Sequence, residues 1–338
     1  MASVDPTTKT TYGTTDWKSY TQGRPPYPAS LTEIIYAYRR QHPHAQWDRL
    51  VDIGAGSGVA STNFLAEFKT IHNSDPSPSN ESQARAFLPD WAARHGLDRT
   101  FEYSQASGED AYTKTGEGLT DLAICATAAH FIDPDGLVTS IGKMLRPGGT
   151  MAVFSYWMPN FPQQSSRFHD VVAQTFENVI LKRRGQGDAA ARTLLAKSME
   201  RRLVGRGVLD SVPLPEEYFE DPVRVYINPP PDGLPFKELF VKYGSAGPPS
   251  SDMDRVRETD RIVEYHTGVD SEAEGWAFDV DRNWFLVFLN TFLSPDQKLT
   301  PENSREQLAH WEKVCDEECP TGRLRAQWVA YLVLGTRK

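Results

Sequence analysis

The chain has 338 residues, of which 39% are hydrophobic and 24% are charged, and its formal net charge is −9. This length and composition are typical of an ordinary globular protein with one large domain or two small ones. The acidic balance argues against nucleic acid as the main partner, because it repels phosphate backbones. No apolar run approaches the roughly 20 residues of a membrane span, so we expect no membrane partner.

The N-terminal residues 1–22 are polar and lack the apolar stretch of a signal peptide, and we expect them to form a mobile leader. The three cysteines, Cys125, Cys315 and Cys319, are too few for a disulfide framework. Cys315 and Cys319 lie one helical turn apart without further ligands nearby, so no metal site is expected. The cysteine content favours the reducing cytoplasm.

From residue 49 to residue 157, five apolar runs alternate with helical patterns, and this alternation predicts a doubly wound parallel sheet. After Trp157 the pattern becomes mainly helical, and residues 252–266 are among the predicted helices. A long apolar strand is predicted at the end of the chain. The expected organisation is a leader (1–22), a core of alternating strands and helices (23–157), a helical cap insertion (158–205), a return strand region (206–228), a second helical cap insertion (229–319) and a final sheet strand (320–338).

The stretch "LVDIGAGSGVAS" places three glycines, Gly54, Gly56 and Gly58, directly after a predicted buried strand. A dinucleotide-binding loop requires its third glycine at position 59, which is Val59 here. A triphosphate-binding loop requires a lysine after the glycines, and none follows. The loop therefore favours a ligand that contains a nucleoside but no diphosphate.

Asp75 follows the second predicted strand, 21 residues after Gly54. A carboxylate at this point can accept hydrogen bonds from both hydroxyls of a ribose. The alternative is a turn in "SDPSPS" that the aspartate side chain stabilises. This stretch alone leaves the two interpretations equally open.

Taken together, several segments resemble the class I S-adenosylmethionine-dependent methyltransferases, especially the subgroup of bacteria and fungi around trans-aconitate and other small-molecule methyltransferases. They are "YTQGRPPYP", "VDIGAGSG", the acid of "SDPSPS", "ASGED", "TAAHFID", "LRPGGTMAVFS" and "WVAYLVLGTRK". The resemblance covers residues 17–157 and the last strand. It implies a Rossmann-like sheet of seven strands with the last one antiparallel, helical cap insertions, and S-adenosylmethionine as the cofactor.

The resemblance also implies roles for individual residues. The glycine loop would approach the methionine part of the donor, Asp52 would orient its ammonium group directly or through water, and Asp75 would hold the ribose. Ser107, Gly108 and Glu109 would border the adenine. The full implied cofactor set is Tyr20, Arg24, Asp52, Gly54, Ala55, Gly56, Asp75, Pro76, Ser107, Gly108, Glu109, Thr127 and Ala128.

Two of these assignments have structural alternatives. Thr127 and Ala128 would offer carbonyl groups to the ammonium, or they would only terminate the fourth strand. Arg24 would pair with the donor carboxylate or with an acidic acceptor, or it would be a solvated arginine before two prolines.

For the acceptor, His130 is the catalytic candidate, because it follows the fourth strand and an imidazole suits proton transfer or anion binding. The alternative is a histidine that only packs against the donor. Further candidates for the substrate pocket are Tyr27, Trp157 and Trp276, with Arg224 as an anion contact. The alternative for the tryptophans is core packing.

The sequence thus predicts a methyltransferase (EC 2.1.1) for a small molecule, with a carboxylate or hydroxyl acceptor favoured. A carboxylate acceptor requires no general base, so the lack of a catalytic triad is consistent with this activity. The alternatives are a donor-binding protein that catalyses a non-methylating reaction, a protein or RNA methyltransferase, and a non-enzymatic sensor of the donor. A monomer or a homodimer is expected.

Overall fold

A mixed sheet forms the centre of the protein in the computed structural model, which describes residues 17–184, 189–231, 233–243, 250–293, 297–300, 302–303 and 305–338. Within these residues the sheet has nine strands. They are β1 (Arg49–Ile53), β2 (Thr70–Ser74), β3 (Thr100–Ser104), β4 (Thr120–Ala126), β5 (Leu145–Asn160), β6 (Phe219–Ile227), β7 (Arg261–Tyr265), β8 (Ala277–Asp281) and β9 (Arg323–Arg337).

The strand order is β3-β2-β1-β4-β5-β9-β6-β7, with β8 paired to the first part of β9. Strands β1 to β5 are mutually parallel, whereas β9 is antiparallel to both β5 and β6. The predicted Rossmann-like fold with an antiparallel last strand is therefore confirmed. The described sheet has two strands more than the predicted seven, because β7 and β8 extend it beyond β6 and beside β9.

Ten α-helices occur in the described part of the chain. They are α1 (Trp17–Gly23), α2 (Ala29–Arg40), α3 (Pro78–Arg94), α4 (Tyr112–Thr115), α5 (Pro134–Met144), α6 (Ser166–Arg184), α7 (Ala189–Leu203), α8 (Lys237–Tyr243), α9 (Arg282–Asn290) and α10 (Arg305–Glu318). Helix α1 packs against α9, α6 packs against α10, and α7 packs against a short 3-10 turn at Ala129–Phe131. None of these helices is long and apolar enough to cross a membrane.

Two segments differ from the predicted organisation. Residues 252–266 were expected to form a helix, but they contain β7, which lies parallel to β6. The β-branched and aromatic side chains of "RIVEY" suit a strand, and pairing with β6 outweighs the weak helical spacing. Of the predicted mobile leader, residues 1–16 lie outside the described residues, and Trp17–Gly23 is helical.

Candidate functional site

A cavity of about 880 Å³ opens at the carboxyl ends of the parallel strands, next to the point between β1 and β4 where the strand order reverses. Ligands of open α/β sheets bind at such a switch point. Fourteen of the predicted site residues line this cavity. They are Tyr20, Arg24, Tyr27, Gly54, Ala55, Gly56, Asp75, Pro76, Ser107, Gly108, Glu109, Thr127, Ala128 and His130.

The glycine loop after β1 lies directly against the turn after β4. Gly54, Gly56 and Gly58 all have positive φ, which L side chains rarely adopt. A Cβ atom on Gly54 would lie only 2.6 Å from the Cβ of Ala128. Glycine is therefore required here by both backbone conformation and space, and the loop brings bare backbone to the cavity wall.

Asp75 connects the glycine loop to the start of α3. Its Oδ2 accepts a hydrogen bond from the Gly56 amide at 2.9 Å, and its Oδ1 accepts from the Ser77 amide at 2.9 Å and from Asn80 Nδ2 at 3.0 Å. Burial raises the pKa of the Asp75 carboxyl, while these hydrogen bonds oppose that shift. The carboxylate is thus fixed at the cavity, and its oxygens can accept further bonds from ligand hydroxyls.

Asp52 lies in β1 beneath the glycine loop and does not line the cavity itself. Ser61 Oγ donates a hydrogen bond of 2.7 Å to Asp52 Oδ2, whereas Oδ1 is buried without a hydrogen-bond partner among the described residues. Burial raises the pKa of Asp52 to about 7, and the nearby charge of Asp75 adds to the shift. A buried carboxyl with an unused oxygen fits a cationic ligand group close to the loop.

The loop after β3 forms the next part of the wall. The Ser107 hydroxyl donates to Asp110 at 3.0 Å, and Glu109 Oε1 accepts from the Asp133 amide at 2.9 Å. A Cβ atom on Gly108 would lie 2.5 Å from Ile132, which also lines the cavity. These contacts hold the loop close to an apolar side chain that a flat ring system can pack against.

Thr127 directly follows β4 and has a φ of +52°, an unfavourable conformation for a β-branched residue. Two hydrogen bonds hold it there: its amide donates to the Phe154 carbonyl at 2.8 Å, and its Oγ1 pairs with the Tyr27 hydroxyl at 2.9 Å. The turn thus presents its backbone to the cavity in a strained conformation. The hydrogen bond from the segment that carries Tyr27 helps to stabilise this conformation.

His130 is buried in the short turn after β4 and lines the cavity. Its ring lies 4.2 Å from the Phe131 ring, measured between centroids, and its carbonyl accepts a hydrogen bond of 3.2 Å from Arg201 of α7. The imidazole therefore lies where α7 meets the core of the fold.

Three residues predicted for the substrate pocket do not line the cavity. Arg224 is buried in an ion pair with Asp260, with a separation of 2.6 Å, so its charge is already compensated. Trp157 lies behind the wall: its indole donates to the Pro235 carbonyl and the Arg202 guanidinium stacks on its ring. Trp276 is a core residue, because it is 2% exposed. None of these three side chains therefore contacts the cavity in this structure.

Helix α7, which lies within the predicted cap insertion, forms one wall of the cavity, but none of its residues was predicted for the site. Its lining residues follow helical spacing: Ala190, Leu194, Leu195, Lys197, Ser198, Met199, Arg201 and Arg202. Asn80, Ile132 and Tyr156 also line the cavity and were not predicted for the site. Little in the sequence signals this wall, because the apolar and charged residues of α7 are not segregated into a pronounced apolar face.

The comparisons with known proteins agree with this geometry. Residues 51–153 match the family model described as a methyltransferase domain. The methyltransferase tpcM of Aspergillus fumigatus is 27% identical over 95% of this chain and 91% of its own length, and the methyltransferase gedG of Aspergillus terreus is 26% identical with the same coverages. A structure from Anaeromyxobacter dehalogenans, assigned to the type II methyltransferases, superposes with a TM-score of 0.50 at 16% identity and covers 93% of this chain and 97% of its own.

The matching domain, the strand order and the glycine loop support a class I S-adenosylmethionine-dependent methyltransferase. Its cofactor is S-adenosylmethionine, and the residues present fit this group. The unused oxygen of Asp52, the fixed carboxylate of Asp75 and the close approach at Gly54 suit its ammonium, its ribose and its amino-acid backbone. The predicted likeness to the trans-aconitate subgroup stays a prediction.

The hydrogen bond between Tyr27 and Thr127 leads to a first test. We expect Tyr27→Phe to weaken the binding of S-adenosylhomocysteine, the demethylated cofactor, by about threefold to tenfold, since a neutral hydrogen bond is worth roughly 0.5–1.5 kcal/mol. Calorimetric titration measures this effect. Because Tyr27 acts through Thr127, the loss is expected to be much smaller in a Thr127→Gly background, where the strain is absent. Equal losses in both backgrounds would contradict this role.

Proposed function

We propose that the protein transfers the methyl group of S-adenosylmethionine to a small-molecule acceptor, with a carboxylate or hydroxyl oxygen as the favoured nucleophile. The observation that carries the proposal is a single cavity with two chemically different ends. One end has the buried acids and bare backbone of the cofactor loops, and the other has the apolar and aromatic side chains of α1, α7, β5 and α9.

The bound donor supplies an activated methyl group, because its sulfonium is a good leaving group for an in-line displacement. The chain's own residues then orient the reactants and exclude water. Asp75 and Asp52 are proposed to hold the ribose and the ammonium of the donor, and Thr127 and Ala128 to offer carbonyl groups to that ammonium. A carboxylate acceptor needs no proton transfer, whereas a hydroxyl acceptor places His130 in the role of proton acceptor.

Tyr20 and Arg24 are proposed to cover the cavity where its two ends meet. The Arg24 guanidinium lies 4.9 Å from the Tyr20 ring and 4.2 Å from the Phe292 ring, and all three side chains line the cavity. Helix α1 and the residue that follows it, Arg24, therefore cover one side of the cavity. Coverage by α1 and α7 favours a small acceptor over a protein side chain, which would require an open groove.

Incubation with donor labelled in its methyl group, together with a panel of organic acids, phenols and amines, tests the proposal. We expect one labelled product and an equal amount of S-adenosylhomocysteine, both measured by mass spectrometry. Binding of the donor without any product across the panel would favour a sensor. An unlabelled product that also forms with S-adenosylhomocysteine would favour a non-methylating reaction, which is the alternative function.

A further inference from the structure

The acidic and the basic lining residues of the cavity lie on different elements of the fold. The acidic lining residues, Asp75, Glu109 and Asp133, belong to loops that follow β2, β3 and β4, at the end assigned to the donor. The basic lining residues lie on the N-terminal segment and on α7: Arg24, Lys197, Arg201 and Arg202. A donor with a sulfonium and an ammonium suits the acidic end, and the basic end suits a ligand of the opposite charge.

Among these cations, the burial and hydrogen bonding of Arg201 bear on the ligand that it could bind. Its side chain is only 13% exposed, and one guanidinium nitrogen donates to the His130 carbonyl at 3.2 Å. Burial lowers the pKa of Arg201, even though the carboxylates of Asp133, Glu109 and Glu200 oppose the shift. A guanidinium has five N–H donors, and these contacts satisfy a minority of them.

The carboxylate nearest to Arg201 is a weak counter-ion. Asp133 Oδ1 lies 3.8 Å from the guanidinium, and the Asp133 side chain is 59% exposed, so water screens the pair. Its other oxygen accepts the Gly136 amide at the start of α5. A mostly buried cation with a distant and solvated partner is under-compensated, and an anionic ligand would stabilise it.

Most of the other side chains around the basic end are apolar or aromatic, and the polar ones there, Thr21, Gln22 and Ser198, carry no charge. The apolar and aromatic ones include Tyr156, Leu194, Leu195, Phe240, Trp284 and Phe292. A ligand that fills this space must therefore be mostly apolar. Its charged group would have to meet the cations of α7, since the apolar walls offer no partner for a charge.

We propose that Arg201 binds a carboxylate or phenolate of a largely apolar acceptor, and that it thereby selects acidic acceptors over neutral ones. The inference rests on the proposed function and adds a residue and a charge requirement to it. Arg201 donates a hydrogen bond to the backbone carbonyl of His130, which is the residue assigned to the acceptor. The donor carboxylate is a second possible source of the same chemistry, and the test below separates the two.

The test uses protein saturated with S-adenosylhomocysteine and matched pairs of aromatic acids and their primary amides, beginning with 2-naphthoate and 2-naphthamide. Calorimetry is expected to show that the wild type binds the acid at least about tenfold tighter than the amide, as a charge-assisted bond requires. Arg201→Gln should bring the two affinities within about threefold of each other, and Arg201→Lys should retain part of the preference. The matched control is Arg192→Gln, because Arg192 is exposed on the same helix and does not line the cavity.

A structural role alone would reduce the affinity for acid and amide equally, so an unchanged ratio in Arg201→Gln overturns the proposal. A wild type without preference for any acid over its amide, including one that binds neither, overturns it as well. If Arg201 instead holds the donor carboxylate, Arg201→Gln weakens S-adenosylhomocysteine but not 5′-methylthioadenosine, which lacks the amino acid. Binding of S-adenosylhomocysteine to the wild type remains a separate measurement, so failure of the proposed function would be recognised independently.

Discussion

Asp75→Ala is expected to weaken the binding of S-adenosylhomocysteine by roughly 10- to 150-fold. A hydrogen bond to a charged acceptor is worth about 1.5–3 kcal/mol, and the proposed site loses its partner for the ribose hydroxyls. The variant also removes the acceptor for Gly56, Ser77 and Asn80, so the glycine loop loses its connection to α3. Calorimetry with the purified protein measures the change.

The same variant should weaken 5′-methylthioadenosine by a similar factor, because this probe retains the ribose and lacks only the amino acid. Asp75→Asn is the matched control for size. Its amide nitrogen would face either the Gly56 amide or the donors from Ser77 and Asn80, so a partial loss is expected. Unchanged affinity of the folded Asp75→Ala variant for both probes would remove Asp75 from the cofactor site.

The core of the site was predictable because its signals are local. The positive φ of Gly54 and its contact with Ala128 require glycine, and a loop of that geometry after a buried strand is visible in the sequence. Asp75 was equally visible from its distance to the glycines. What the sequence left open was whether Asp75 only supports a turn, and the structure shows that it lines the cavity while also holding that turn.

The functional residues of the helical cap insertions could not be predicted from the sequence, because their surroundings depend on contacts with distant parts of the chain. Arg224 and Arg201 are both arginines of the region after the fifth strand, yet the first has a carboxylate at 2.6 Å and the second has one at 3.8 Å. That difference depends on Asp260 and Asp133, which belong to other elements. The same holds for Trp157 and Trp276, because the sequence does not distinguish an aromatic side chain of the core from one that lines a pocket.

The donor end and the acceptor end also differ in how they are built. Loops that follow consecutive strands of the sheet form the donor end, whereas the acceptor end depends on α7 from an insertion and on the N-terminal segment with Tyr27. The hydrogen bond from Tyr27 to Thr127 joins the two ends at the strained turn after β4. We therefore expect changes in the insertions to alter acceptor choice without loss of donor binding.

The affinity for S-adenosylhomocysteine is expected to rise with pH, because the proposed interaction of its ammonium group with Asp52 requires the ionised carboxylate. With its pKa near 7 in the free protein, Asp52 is largely protonated at pH 6. Binding at pH 6.0 should then be about fivefold to tenfold weaker than at pH 7.5, with release of a proton. The pKa of Asp75 is also raised, so the quantity to compare is the ratio of the affinities for S-adenosylhomocysteine and 5′-methylthioadenosine.

Two variants isolate the contribution of Asp52. Asp52→Asn should lower the affinity for S-adenosylhomocysteine by at least about tenfold and abolish the pH dependence of the ratio, while 5′-methylthioadenosine binds as before. Ser61→Ala removes the hydrogen bond that lowers the pKa of Asp52, and it should therefore shift the midpoint of the pH dependence upward. A ratio that stays constant from pH 6.0 to 7.5 in the wild type would contradict an ammonium contact through Asp52.

The titration of Asp52 should also affect the stability of the free protein, and this stability should fall with rising pH, whereas the affinity for the ligand rises. Because the folded pKa of Asp52 exceeds the value of 3.8 for an unperturbed carboxyl, protonated Asp52 stabilises the fold below about pH 4, and this contribution is lost as the pH rises through 7. Asp52→Asn avoids the buried charge, so its free energy of unfolding in urea at pH 8 should exceed that of the wild type by about 1–4 kcal/mol. At pH 4 the two proteins should be similar in stability. A variant that is less stable than the wild type at both pH values would show that Asp52 is buried as a compensated carboxylate.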